Sequence, residues 1–238
     1  MAKDFSGKSI VVVSPHSDDG VLSLGAAIAS WVRRGARVEL LTVFALDPES
    51  RTLAGGWDSR AGFRTEGEAA SGRREEDAAA CAILGATPVW LPLGSVDYER
   101  HGDEAAVRAA VSAAVDGADV ALLPGFPLSH PDHVWLAQTL AVSLLGGDQL
   151  GFYAEQPYAR RAGGEPRAPA WVEEALGTML SFDPVPASAR DRLAKWRAMR
   201  CYRSQLPLLD MRQSLRHGPH TLAWSTEAVA WVPPAALA

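Results

Sequence analysis

The chain has 238 residues, 47% apolar and 21% charged, and its 23 Lys and Arg against 28 Asp and Glu give a formal net charge of −5. That composition is globular and excludes a disordered or low-complexity chain. A mildly acidic balance without a basic run argues against nucleic acid and anionic membrane as partners. No apolar run approaches the roughly 18 residues of a membrane span. The first residues lack a signal-peptide stretch, so a cytoplasmic protein is expected. Cys81 and Cys201 stand too far apart for a Cys-x-x-Cys pair, and Cys81 reads as a small buried helix residue.

Ser9 to Ser14 is a β-branched run without polar alternation, the pattern of a strand buried on both faces. A helix is predicted over Val21–Arg33, with apolar residues at spacings of three and four and Gly35 at its end. There follow a strand at Val38–Phe44, a helix at Ser71–Leu84, a strand at Pro88–Leu93, an Ala-rich helix at Asp103–Val115, a strand at Val120–Leu123 and a helix at His133–Leu145. This alternation predicts an α/β fold: a Rossmann-like, mainly parallel sheet with helices on both faces, in a single domain over residues 1–238. From about residue 146 the pattern weakens, and this part is expected to complete the substrate cleft. It carries a candidate fifth strand at Gly151–Glu155, a loop at Arg160–Pro169, an amphipathic helix at Ala187–Gln205 and a terminal strand or hairpin at Thr221–Val232. Ala45–Ala70 reads as a long irregular loop after the second strand, expected to border the cleft and to touch substrate through Trp57, Arg60 or Arg64.

Two short motifs carry the chemistry. The first strand runs into Pro15-His16-Ser17-Asp18-Asp19-Gly20, and the fourth into His130-Pro131-Asp132-His133, each followed by a helix. Taken singly, each has a plain reading: Asp18 or Asp19 caps one helix, and Ser129 or Asp132 caps the other, with Pro131 in its first turn. Taken together they are harder to explain by packing. Ligands of an open parallel sheet bind beyond the carboxyl ends of the strands where strand order reverses, and in a common doubly wound order the first and fourth strands flank that point. Imidazole and carboxylate donors from both motifs would then share one cleft, the mixed nitrogen and oxygen set used by catalytic zinc, with iron as an alternative. His217-Gly218-Pro219-His220 repeats the His-x-x-His spacing, but Gly and Pro break the helix that would align the rings, so it reads as a turn at the rim. Neither a Gly-x-Gly-x-x-Gly nucleotide loop nor a Gly-x-Ser-x-Gly elbow is present.

Pro15-His16-Ser17-Asp18-Asp19 resembles the first signature of the PIG-L (LmbE-like) zinc de-N-acetylases, and His130-Pro131-Asp132-His133 resembles their second. Arg73-x-x-Glu76-x-x-x-Ala80-x-x-x-Leu84-Gly85 with Leu93-Gly94-x-x-Asp97 resembles the family's middle segment, and Lys195-x-x-Ala198-x-x-x-Tyr202-x-Ser204-Gln205 its C-terminal helix. The resemblance implies one zinc per chain on His16, Asp19 and His133. It also implies Asp18 as general base, His130 as acid or oxyanion-stabilising group, Asp132 orienting His130, and Arg73 and Asp97 holding substrate. The implied activity is removal of an N-acetyl or N-acyl group from an amino sugar or glycoconjugate. A zinc amidase acting on a small thiol conjugate and a non-catalytic sugar-binding relative are the competing readings, and oligomerisation stays open. Ser17 and Gly20 depart from the family's usual Pro and Glu, and the departure at Gly20 is expected to alter the cleft wall and hence sugar preference.

Overall fold

The computed structural model describes residues 3–98, 104–127, 129–140, 149–161, 167–209 and 222–233. One mixed sheet of order β3-β2-β1-β4-β5-β7-β6 organises them. β1 (Ser9–Ser14) pairs in parallel with β2 (Arg37–Thr42) on one side and β4 (Val120–Pro124) on the other. β3 (Thr87–Trp90) and β5 (Leu150–Tyr153) extend the parallel part outward. β7 (Ala228–Trp231) inserts antiparallel between β5 and the edge strand β6 (Phe182–Pro184). The chain therefore reverses its strand order between β1 and β4, the place where an open sheet leaves a crevice.

Alternation along β1 divides the core. Ile10 and Val12 pack with α1 (Asp19–Arg33), α3 (Glu66–Leu84) and α8 (Ala189–Met199), while Val11 and Val13 pack with α4 (Glu104–Val115), α5 (Pro131–Leu140) and α7 (Ala170–Leu176). Both side-chain sets of the strand are thus removed from water, which is why it carries no polar alternation. α1 and α3 end at left-handed glycines, Gly35 (φ 96°) and Gly85 (φ 76°), where a side chain would be strained.

Several boundaries differ from the predicted ones. α3 starts at Glu66 rather than Ser71 because Thr65 accepts the Glu68 N–H and supplies a cap inside the supposed loop. The rest of that loop contains α2 (Gly56–Ala61), which is too short to show a helical period. The expected C-terminal strand is β7, preceded by a 3-10 turn at Leu222–Trp224. α6 (Tyr158–Arg161), α7 and β6 had no counterpart in the predicted elements. Residues 141–145 of the predicted fourth helix and the His217–His220 turn lie outside the described residues. Among the described residues no helix is long and apolar enough to cross a membrane.

Candidate active site

Beyond the carboxyl ends of β1 and β4 lies a cavity of about 680 Å³, the size of a typical small-ligand site. Its walls include His16, Asp18, Asp19, His130 and Asp132 from the two motifs, so the sheet brings together residues more than a hundred positions apart. The loop after β1 is folded inward: the Asp19 carboxylate accepts the His16 backbone N–H at 2.9 Å, and Ser14 Oγ accepts the Gly20 N–H at 2.9 Å. Asp18 occupies the N-cap position of α1, yet its side chain makes no capping bond; it is 5% exposed and lines the cavity. Pro131 opens α5, as predicted.

Three donor atoms converge. His16 Nδ1 lies 3.1 Å from Asp19 Oδ2, His133 Nε2 lies 3.1 Å from the same oxygen, and the two ring nitrogens are 3.2 Å apart. Donors around a four-coordinate zinc, each about 2.0–2.2 Å from the ion, stand about 3.3 Å apart, so this triangle could hold one face of such an ion. A looser grouping of His16, His130 and His133 has its donor atoms within 4.8 Å of one another.

The charges of the cluster push its members apart. Burial and the adjacent Asp19 charge raise the Asp18 carboxyl to about 7. Burial works in the same direction on Asp19, but His133 and His16 outweigh it and hold that carboxyl well below the usual range. Burial and the positive charge of His16 and His133 lower His130 to about 4, leaving it neutral at neutral pH. The Asp132 backbone N–H donates to His130 Nδ1 at 3.2 Å, which places the proton of the neutral ring on Nε2.

Asp132 reaches both neighbouring histidines. Its Oδ2 lies 3.1 Å from His16 Nε2, accepts the Val96 N–H at 3.1 Å and stands 3.8 Å from His130 Nδ1. The carboxylate is therefore nearer to His16, while the Asp132 backbone N–H bonds His130. Arg73 is 8% exposed, faces the cavity and forms an ion pair with Asp58, which also accepts the Tyr98 hydroxyl at 2.6 Å. Asp97 lines the cavity too, accepting the Trp57 N–H at 3.1 Å, and Trp57 Nε1 donates to Gln205 at 2.9 Å. Arg60 reaches the same wall, its guanidinium 5.1 Å from the Trp57 ring centroid. Arg64 does not: its side chain is 85% exposed, paired with Glu68 one helical turn away, and stands outside the cavity. Gly20 is also off the cleft wall. A Cβ there would meet Leu40 Cδ1 at 2.5 Å and Ser14 Oγ at 3.3 Å, so the position faces the core.

Sequence reasoning missed Glu155, Asp58 and Tyr158. Glu155 lies two residues past β5 with its Oε1 2.9 Å from His133 Nδ1, and the Tyr158 ring meets that of His133 nearly at right angles. The signal for Glu155 was its place at the carboxyl end of a parallel strand; Asp58 lies within the short α2 and gave none.

A doubly wound sheet whose switch point gathers histidines and aspartates in one cleft defines a Rossmann-like α/β scaffold with its ligand cleft at that point. The chain belongs to the PIG-L family: the family model described as GlcNAc-PI de-N-acetylase matches residues 11–143, more than half of its length. It is similar to a solved deacetylase of the teicoplanin biosynthesis pathway (TM-score 0.71, 21% identity, 94% of this chain and 97% of that one). It is also similar to the A40926 pseudoaglycone deacetylase Dbv21 (TM-score 0.69, 23% identity, 97% of each chain). A further match is to 4-oxalmesaconate hydratase of Pseudomonas putida, 38% identical over 98 residues; these make up 41% of this chain but only 35% of that protein.

Proposed function

We propose that this protein is a zinc-dependent hydrolase that removes an N-acetyl or related N-acyl group from an amino sugar or its conjugate. The observation that carries this reading is the triangle of His16, Asp19 and His133 donors beside a buried, non-capping Asp18. Those three residues would hold the metal. When bound, zinc polarises a carbonyl and lowers the pKa of its water from 15.7 to about 7.

The remaining chemistry falls to the chain. Asp18, poised at about 7, takes the proton of the attacking water and is then the acid that returns it to the departing nitrogen, without which an amine leaves poorly. His130 was expected as either acid or oxyanion stabiliser, and the Asp132 N–H donated to its Nδ1 favours the second: that nitrogen carries no proton, and the Nε2–H is left to donate to the developing oxyanion. Water adds across the amide, the C–N bond breaks, and a carboxylic acid and a free amine leave. Arg73, held by Asp58, and Asp97 are placed to meet hydroxyl or anionic groups of the substrate, while Trp57, Val96, Leu208 and Leu209 offer an apolar wall to the rest of it.

The 38% match to a hydratase supports a second reading, in which the same base activates water for addition to a carbon–carbon double bond. Purified, zinc-loaded protein is to be assayed for acetate release from N-acetylglucosamine, its glycosides and its inositol conjugates. In parallel, loss of ultraviolet absorbance is followed with unsaturated oxo-dicarboxylic acids. Acetate release supports the hydrolase; hydration without acetate release from any N-acyl substrate would overturn it.

A further inference from the structure

His16 and His133 meet the donor triangle through different ring nitrogens, Nδ1 of the first and Nε2 of the second. A neutral imidazole has one bare nitrogen, so the two rings need opposite tautomers, each set by what faces the far nitrogen. For His16 the far nitrogen is Nε2, and Asp132 Oδ2 stands 3.1 Å from it. For His133 it is Nδ1, with Glu155 Oε1 at 2.9 Å and both side chains 1% exposed. Neither Nδ1 nor either Glu155 oxygen has a well-directed hydrogen bond to any other described residue. A carboxylate so far from water and so poorly supplied with donors is costly to bury unless it faces positive charge.

We propose that Glu155 is a positioning residue for the metal. It keeps the proton of His133 on Nδ1, turns the bare Nε2 toward the triangle, and offsets the charge of the ion. This inference rests on the reading of the cleft as a metal centre. Glu155 is not among the residues lining the cavity, and its side chain is 1% exposed behind His133. Its structural role is carried by its backbone, whose N–H donates to the Phe126 carbonyl at 3.2 Å and whose carbonyl accepts from Ala159 at 2.8 Å. Those bonds survive a change of side chain.

The test uses the full chain, stripped with a chelator, with zinc affinity read by competition against a chromophoric chelator. Glu155→Gln keeps the shape and removes the charge; it should weaken zinc binding by about 10–100-fold, the usual effect of losing such a partner. Its metal-free thermal midpoint should stay near that of the parent, and Glu155→Asp, which keeps the charge, should recover part of the affinity. Independently of any variant, ¹⁵N spectra of the zinc-loaded parent should show His133 protonated at Nδ1 and metal-bound at Nε2. A folded Glu155→Gln protein binding zinc within about twofold of the parent, or a His133 bound through Nδ1, would overturn the proposal. If the parent itself binds no stoichiometric zinc, the metal reading as a whole fails, and the two failures are thereby told apart.

Discussion

Asp18 and Asp19 are neighbours with opposite electrostatic fates. Asp19 meets two histidine nitrogens and stays ionised, whereas Asp18 meets mainly burial and the charge of Asp19, and its carboxyl rises to about 7. A base is lost by protonation as pH falls, so kcat/KM should drop about tenfold per unit below the pKa that Asp18 has in the zinc-loaded protein. Asp18→Asn should lose that acid limb and about 10²–10⁴-fold in kcat, with zinc content unchanged. Asp19→Asn should instead lose zinc and regain activity when zinc is added. Metal analysis beside the pH–rate profile decides; an Asp18→Asn protein without metal and an Asp19→Asn protein with it would exchange the two roles. The sequence showed that these carboxylates and His16 were concentrated after a strand. It did not show the partners on α5, His133 for Asp19 and Asp132 for His16, because those lie more than a hundred positions away.

At the scale of elements, α1, α8 and β7 are joined by a buried charge pair. Lys195 on α8 is 0% exposed with its Nζ 2.7 Å from Glu227 Oε1, and Glu227 also accepts the Ala26 and Ala27 N–H groups at 3.0 and 2.7 Å. The helices approach so closely that a Cβ on Gly25 would meet Lys195 Cγ at 2.8 Å. Glu227→Ala would leave a buried ammonium and should cost about 3–5 kcal/mol, read as a lower denaturant midpoint at unchanged slope. The double change Lys195→Met with Glu227→Gln should cost less, since no unpaired charge remains. This explains part of the C-terminal resemblance in structural terms: Lys195 anchors α8, Tyr202 donates to the buried Asp77 at 2.7 Å, and the Ser204 hydroxyl donates to Glu76 at 2.7 Å. These residues tie α8 and the segment after it to α1 and α3.

For the whole molecule, the switch point between β1 and β4 is where the two halves of the parallel sheet meet, and an ion held by His16, Asp19 and His133 would join the segments that follow those strands. A ligand that binds only the folded state, present at a hundred times its Kd, stabilises by about 2.7 kcal/mol. For a chain of this size that corresponds to about 5–10 °C in Tm. Chelation should therefore lower Tm by that amount and zinc restore it, while His133→Ala should respond to neither; equal midpoints for stripped and zinc-loaded parent protein would remove the ion from the cleft.

Apart from α2, the order of strands and helices through α5, the doubly buried β1 and the two motifs were legible in the sequence because they rest on local properties: β-branched runs, helical spacing, and glycines that stop helices. α2 and β6 were too short to show a period, and the start of α3 depended on the Thr65 cap. Only the tertiary structure brought the Asp132 carboxylate to His16, took Arg64 and Gly20 away from the cleft, and set Glu155 behind His133. Apart from the local Arg64–Glu68 pair, each of those outcomes is a contact between different elements. Which atoms meet there follows from how strands are ordered and helices packed, and residue spacing along the chain carries no record of it.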